Sequence, residues 1–431
     1  VVRQTLTVAH RYVGLATAIF LVIAGLTGSL LAYYEPLSAW LSPELHGPTS
    51  RGPVLSPSEL AARAAASDPR VELRGFPVGE EGVGARFFVA GKRDPVTAER
   101  APIEYDELWL DPVSGEVLGR VERDAFPPTR HNLASFVYAL HYRLAIPGNW
   151  GTWIMGIVAI LWFFDCFIGA ALTLPRGRPF LRKWRIAWMV RRSRITYDTH
   201  RAGGLWPWLL LAVIALSSVY LNLNREVFMP VFGLVAKTTP EPFVTRKPRP
   251  VAELEPPQVP LEQAIAVANA HAARLGWTET AQQVFYRDTL GLWQVYFEKP
   301  ASDWARPGNY ALFIHDRTAE LVHVRAPGGT AGDVFLQWIA ALHMGTILGA
   351  PYDLLLCALG IAIAWLAGTG VVIWWRKRRA RRHAARAKLA GLRTAAPAGS
   401  SGRRAGFGAW RQAATAAPLA GRDRATAPRP D

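Results

Sequence analysis

Four histidines occupy matched places in the chain. His10-Arg11-Tyr12-Val13-Gly14-Leu15 and His200-Arg201-Ala202-Gly203-Gly204-Leu205 both read H-R-x-x-G-L. Ala139-Leu140-His141 and Ala341-Leu342-His343 both read A-L-H, each followed within ten residues by a Gly/Pro break, at Pro147-Gly148 and at Gly349-Ala350-Pro351. Neutral imidazole is the commonest protein ligand for metals. Zinc gathers three or four such ligands into one cluster. Two opposed imidazoles are what a six-coordinate b-type haem needs, with the protein setting ligands, burial and hydrogen bonds and the cofactor bringing its own redox chemistry. One matched motif would carry little weight; two in corresponding places point to an internal duplication.

The elements that position these residues are apolar. The chain has 431 residues, a net charge of +16 and a hydrophobic fraction of one half, which excludes a disordered chain. So basic a balance suggests nucleic acid, but the Lys and Arg residues bunch beside long apolar runs, the distribution of a membrane protein. Only two cysteines occur, Cys166 and Cys357, so a disulfide framework, a Cys-type zinc site and an iron–sulfur cluster are excluded as organising features. Four runs approach the roughly 20 residues that cross a bilayer: Tyr12 to Tyr34, Trp153 to Leu174, Leu205 to Leu223 and Leu354 to Trp375. The first reads as a retained helix and not a signal peptide, because no Ala-x-Ala cleavage site follows it.

The loop between spans two and three and the stretch Arg376–Arg382 are arginine-rich, which places both, and both termini, in the cytoplasm. Within that loop Phe180, Trp184 and Trp188 predict a short amphipathic helix on the inner leaflet. The segments 35–130 and 224–332 then face the periplasm. In the first, Ser56-Pro57-Ser58-Glu59 is a capping box opening a helix, followed by strands at Ala85–Ala90, Leu108–Leu110 and from Glu116, with a turn at Asp111-Pro112-Val113-Ser114-Gly115. The second repeats the order, with a helix from Leu261 and strands near Val284–Tyr286, Leu292–Glu298 and Ala311–Ile314. The expected architecture is a membrane helical bundle of four transmembrane helices in two parallel repeats, carrying two periplasmic α+β domains. The basic tail, 376–431, is rich in Ala, Gly, Pro and Arg and is expected to be largely disordered.

Parallel repeats related by an axis along the membrane normal put equivalent residues at equal depth. His10 then faces His200 near the inner surface, and His141 faces His343 near the outer one: four axial ligands for two b-type haems. A lone histidine at a span's end is ordinarily an interfacial anchor; four at duplicated depths favour ligation. His131 is a spare outer candidate. Arg11 and Arg201 could pair with haem propionates or simply anchor the inner surface. Asp165, an expensive carboxylate inside span two, could relay protons, accept a hydrogen bond from a ligand's second nitrogen, or serve a helix–helix contact. His46, His271, His315, His323 and His383 read as solvated, and Trp150, Trp153, Tyr352, Trp374 and Trp375 as interfacial belts.

At these residues the chain resembles the PepSY-associated transmembrane family of bacterial inner-membrane proteins. The likeness rests on the H-R-x-x-G-L and A-L-H motifs, and on Asp165-Cys166-Phe167-Ile168-Gly169 running into Leu172-Thr173-Leu174-Pro175-Arg176. Leu110-Asp111-Pro112-Val113-Ser114-Gly115-Glu116-Val117-Leu118 is similar to the PepSY strand–turn–strand. The resemblance covers residues 1 to about 380; in the second copy Asp316-Arg317-Thr318-Ala319-Glu320 lacks the turn glycine. It implies a part in iron uptake, as a di-haem reductase of ferric siderophores in the periplasm. No Gly-rich nucleotide fingerprint is present, so electrons must come from quinol or a separate cytoplasmic reductase. The alternatives are a non-enzymatic membrane-anchored PepSY binding or regulatory protein and, less well served by four spans, a transporter.

Overall fold

The computed structural model describes residues 1–47, 50–79, 82–94, 97–173, 184–189, 191–299, 303 and 305–395. The chain divides into a unit of residues 1–376 and a second of 377–431; the sheet and the four matched histidines belong to the first. The order of elements is α1 (Val2–Leu31), α2 (Pro57–Ser67), β1 (Val71–Pro77), β2 (Ala85–Gly91), β3 (Glu107–Leu110), β4 (Val117–Val121), α3 (Leu133–Arg143) and α4 (Trp150–Thr173). It repeats as α5 (Arg192–Leu205), α6 (Trp208–Asn222), α7 (Leu261–Arg274), β5 (Ala281–Arg287), β6 (Leu292–Phe297), β7 (Tyr310–His315), β8 (Leu321–Arg325), α8 (Ala331–Met344) and α9 (Ala350–Ala395).

Among the described residues, α1, α4 and α9 are long and apolar enough to cross a membrane. The third expected span is not one straight helix: α5 and α6 meet at a 67° bend. Pro207 stands at the break, where it has no N–H to give to the helical ladder, while Trp206 keeps helical backbone angles and still bonds Ala202 O. Where α1 meets α9, Gly25 and Gly360 touch backbone to backbone, and Ser29 Oγ donates to the Cys357 carbonyl at 2.9 Å. Small residues allow such close approach. The expected amphipathic helix of the basic loop is absent where it can be seen. Phe180 lies outside the described residues, and 185–188 is irregular. Its carbonyls are spent on other elements, Trp184 O accepting from Trp206 Nε1 and Arg185 O from Arg201 Nη2.

The two segments expected as separate domains each supply a helix and four strands, and the structure joins them into one antiparallel sheet. The strand order is β4-β3-β2-β1-β5-β6-β7-β8, with Gly75 paired to Phe285 at the β1–β5 seam. One core runs across it. Leu60 and Ala64 of α2 and Ala264 and Ala268 of α7 pack on Phe87, Leu108, Leu110, Val284, Val295, Leu312 and Ile314. The capping box of α2 is as expected, Ser56 Oγ accepting from Glu59 N–H and Glu59 from Ser56 N–H.

Strands β1 and β8 are additions to the sequence reading. The turn before β8 survives without glycine because Ala319 takes φ +60°, matching Gly115 at +71°. In the first turn Asp111 accepts the N–H groups of Val113 and Ser114, both at 2.9 Å. In the second, His315 Nδ1 accepts those of Arg317 and Thr318 at 3.3 Å. Burial pushes the Asp111 carboxyl up, but the donors of Ser114, Val113 and Ser50 outweigh it and hold the group at about 2. Of the other histidines expected in solvent, His46, His271 and His323 are half-buried; His46 lies tilted against Trp109 and His323 meets Phe313 edge-on.

Candidate functional site

The helices bring the four histidines together in two pairs. His10 of α1 faces His200 of α5 with ring centroids 6.2 Å apart and planes at 52°. His141 of α3 faces His343 of α8, also at 6.2 Å, with planes at 70°. Both histidines of the second pair sit at helix ends. Helix α3 terminates at Leu144 in the left-handed conformation, and α8 terminates at Gly345 in the same conformation. Tyr352, expected in an interfacial belt, is instead buried and donates its hydroxyl to Leu342 O at 2.6 Å, next to His343.

Each imidazole is held through Nδ1. His10 Nδ1 lies 2.8 and 2.9 Å from the two carboxylate oxygens of Asp165 on α4. His200 Nδ1 lies 3.0 Å from Leu366 O and 3.1 Å from Thr369 Oγ1 on α9. His141 Nδ1 meets Thr27 Oγ1 of α1 at 3.0 Å, and His343 Nδ1 meets Ser217 Oγ of α6 at 2.8 Å.

These partners fix the tautomers. A carboxylate and a main-chain carbonyl can only accept, so His10 and His200 carry the proton on Nδ1. Thr27 gives its one hydroxyl proton to Ile23 O at 2.6 Å, and Ser217 gives its own to Ile214 O at 2.9 Å. Their oxygens therefore accept from His141 and His343. A neutral ring held in this way keeps its lone pair on Nε2, the state in which histidine binds a metal.

The spacing fits one metal per pair. A metal–imidazole bond of about 2 Å on each side, with each ring centre about 1.1 Å behind its nitrogen, places two opposed ring centres about 6 Å apart. Among the described residues no group of three or more His, Cys, Asp or Glu could hold a metal ion. That disfavours a zinc cluster and leaves paired imidazoles as the donor set. Beside the His10–His200 pair two positions lack a side chain. Gly14 and Gly204 lie four residues after His10 and His200, on the same helix faces. A Cβ on Gly14 would meet nothing within 4 Å, and one on Gly204 would meet only Leu366 methyls, at 3.7 and 4.0 Å. At the His141–His343 pair, Gly28 lets the His141 ring lie against α1, since a Cβ there would stand 3.0 Å from Cε1.

The remaining candidates are placed as follows. Asp165 is the hydrogen-bond partner of His10. Arg201 binds Arg185 O at 2.9 Å and Asp198 at 3.3 Å, while its Nε is buried without a hydrogen-bond partner; that orphaned donor suits a haem propionate. Arg11 is half-buried beside His10 on α1. His131 is held by Ser42 at 3.2 Å and Glu44 at 3.3 Å and does not take the place of His141 opposite His343. Sequence reasoning missed Thr27, Ser217 and Thr369. A signal existed for two of them, since Thr27 and Ser217 each stand 17 residues after the histidine of an H-R-x-x-G-L motif.

Residues 7–377 match the family described as the PepSY-associated TM region. No curated protein matches the chain.

Proposed function

The chain belongs to the PepSY-associated transmembrane family, and from that premise we propose that it is a di-haem inner-membrane reductase. It would pass electrons from quinol or a cytoplasmic reductase to a ferric siderophore in the periplasm, releasing Fe(II) for uptake. The observation that carries this reading is two pairs of facing imidazoles with ring centroids 6.2 Å apart, each ring with a hydrogen-bond partner on Nδ1.

His10 with His200, and His141 with His343, are the residues that would hold the two b-type haems, which would supply one-electron redox chemistry when bound. The chain's own part is to bind and orient. Asp165, Thr369, Thr27 and Ser217 lock each ring's tautomer and direction, so that little rotamer entropy is left to lose on ligation. Arg201, with Arg11 beside His10, offers cationic partners at the inner edge.

Orientation follows from the arginines of the loop before α5 and of Arg376–Arg382, which favour the cytoplasm. The sheet and the His141–His343 pair then belong to the periplasmic side, where a ferric chelate too polar to cross the hydrocarbon core arrives. Reduction releases iron because Fe(II) binds hard oxygen chelators far less tightly than Fe(III).

An ultraviolet–visible spectrum of the purified chain with haem-to-protein stoichiometry tests the reading. Two haems per chain, a sharp α band on reduction and reoxidation by a ferric siderophore are expected. A colourless protein from haem-sufficient cells overturns the proposal and returns the chain to the binding-module alternative.

A further inference from the structure

Three of the four imidazoles are held by neutral acceptors, the hydroxyls of Thr27, Ser217 and Thr369 and the carbonyl of Leu366. His10 alone is held by a carboxylate. Both oxygens of Asp165 lie within hydrogen-bond distance of Nδ1, and the Asp165 side chain is only 10% exposed.

The duplication does not account for this. Gly169 and Gly370 occupy matched places, each the point where an added Cβ would approach the Cε1 of an inner histidine, at 3.5 Å for His10 and 3.3 Å for His200. Four residues before these glycines stand Asp165 in the first half and Leu366 in the second. At the second position the main-chain carbonyl does the work of the Asp165 side chain. A neutral acceptor is therefore sufficient to fix an imidazole here. A carboxylate inside an apolar helix is costly, so Asp165 must do something that a neutral acceptor does not.

We propose that Asp165 is a positioning residue that gives the inner layer the lower reduction potential and so sets the outward direction of electron flow; this rests on the di-haem reading above. Drawing on the Nδ1–H raises the basicity of the opposite nitrogen, and the negative charge beside His10 favours Fe(III) over Fe(II) at that layer. Hydrogen bonding, charge and burial are the levers by which a protein tunes such a site. An electron taken up at the inner layer then runs downhill. Inner iron returns from Fe(II) to Fe(III) as outer iron goes from Fe(III) to Fe(II), with no bond made or broken.

The cations nearby do not touch the rings. Arg201 and Arg194 share the one carboxylate of Asp198, at 3.3 and 3.0 Å, and neither is hydrogen-bonded to any of the four imidazoles. Arg11 adjoins His10 in sequence, and consecutive helix residues point about 100° apart. Among the described residues Asp165 is the one charged group in hydrogen-bond contact with any of the four rings.

The test is a spectroelectrochemical titration of the full chain, with the inner component identified as the one missing from His200→Ala. In the wild type the inner component is expected to be the lower of the two. Asp165→Asn keeps an acceptor and removes the charge. It should change the Fe(III)/Fe(II) ratio of the inner component by at least about tenfold at a fixed poise, an upward shift of about 59 mV for one electron. The outer component should stay in place, and Asp165→Glu should restore the wild-type value. If Asp165→Asn loses the inner haem, Thr27→Asp carries the test, because a carboxylate placed against His141 should lower the outer component by a like amount. A wild-type inner component that is the higher of the two, an unshifted Asp165→Asn, or an unmoved Thr27→Asp overturns the proposal. A wild-type chain that binds no haem overturns the function proposed above instead, which keeps the two failures distinct.

Discussion

If the chain holds two haems as proposed, removing the Ser217 hydroxyl should weaken the one at His141 and His343 and leave the one at His10 and His200 untouched. Ser217 Oγ receives Nδ1–H from His343 at 2.8 Å while donating to Ile214 O at 2.9 Å. Ser217→Ala deletes the acceptor in a place where no surface opens to water, Ser217 being fully buried. A buried donor left without a partner costs about 1–3 kcal/mol. At about 1.4 kcal/mol per decade of affinity that is roughly 5- to 150-fold, in the same band as the 10- to 100-fold losses typical when a metal ligand loses its outer partner. Thr27→Val should do the same through His141. It is the sharper variant because Thr27 shares helix α1 with His10, a ligand of the inner pair. The assay is transfer of haem to a scavenging apoprotein, followed separately for the two spectral components. Faster loss of the outer component alone is expected in both variants. If Thr27→Val loosens the inner component, or neither variant changes outer loss, the assignment of hydroxyls to rings is wrong.

Gly14→Leu should set a bulky side chain beside the His10–His200 pair, starting from a Cβ position with nothing within 4 Å; on the di-haem reading the haem-to-protein ratio should fall from two to one. Ala319→Gly should relieve a left-handed residue, worth about 1 kcal/mol, and raise hydrogen-exchange protection of Leu321–Arg325, whereas Gly115→Ala should lower it for Val117–Val121. The Asp111 carboxyl is held at about 2, below its ordinary 3.8, so its stabilisation of the β3–β4 turn is full above the ordinary value and is lost as pH falls from there towards 2. Protection factors of β4 should drop in that window for the wild type and stay flat across it in Asp111→Asn.

The histidine pairs were legible because each histidine sits in a short motif that occurs twice in the chain. Their anchors were not. A Thr or Ser in an apolar helix ordinarily bonds the carbonyl three or four residues back, as Thr27 and Ser217 do, and nothing local shows that the same oxygen also receives an imidazole from another helix. The β1–β5 seam was equally hidden, because pairing between strands some two hundred residues apart leaves no mark on either. Strand β1 itself was masked by Gly75 and Pro77. Yet Gly75 is required there, since the rings of Phe88 and Phe285 close over its α-carbon. Tyr352 was misread for a physical reason as well: at the mouth of an apolar run, a buried hydroxyl with a carbonyl partner looks the same as an interfacial one. Pro207 could be seen in the sequence but not the size of its bend, because neighbouring helices often absorb a proline within a span.

Anchoring and pairing divide cleanly between the two halves of the chain. His10 and Asp165, and His141 and Thr27, all belong to the first half; His200 and Thr369, and His343 and Ser217, to the second. Each half therefore orients its own two imidazoles, and only the meeting of halves makes a pair. That meeting is secured by the β1–β5 seam, by Gly25 against Gly360 and by Ser29 on Cys357 O. A group bound between facing rings would act as a cross-link between halves and would stabilise their docked arrangement by mass action. Widening the Gly25–Gly360 crossing should then loosen the pairs while leaving every Nδ1 hydrogen bond in place, because no anchor spans the boundary that the substitution opens.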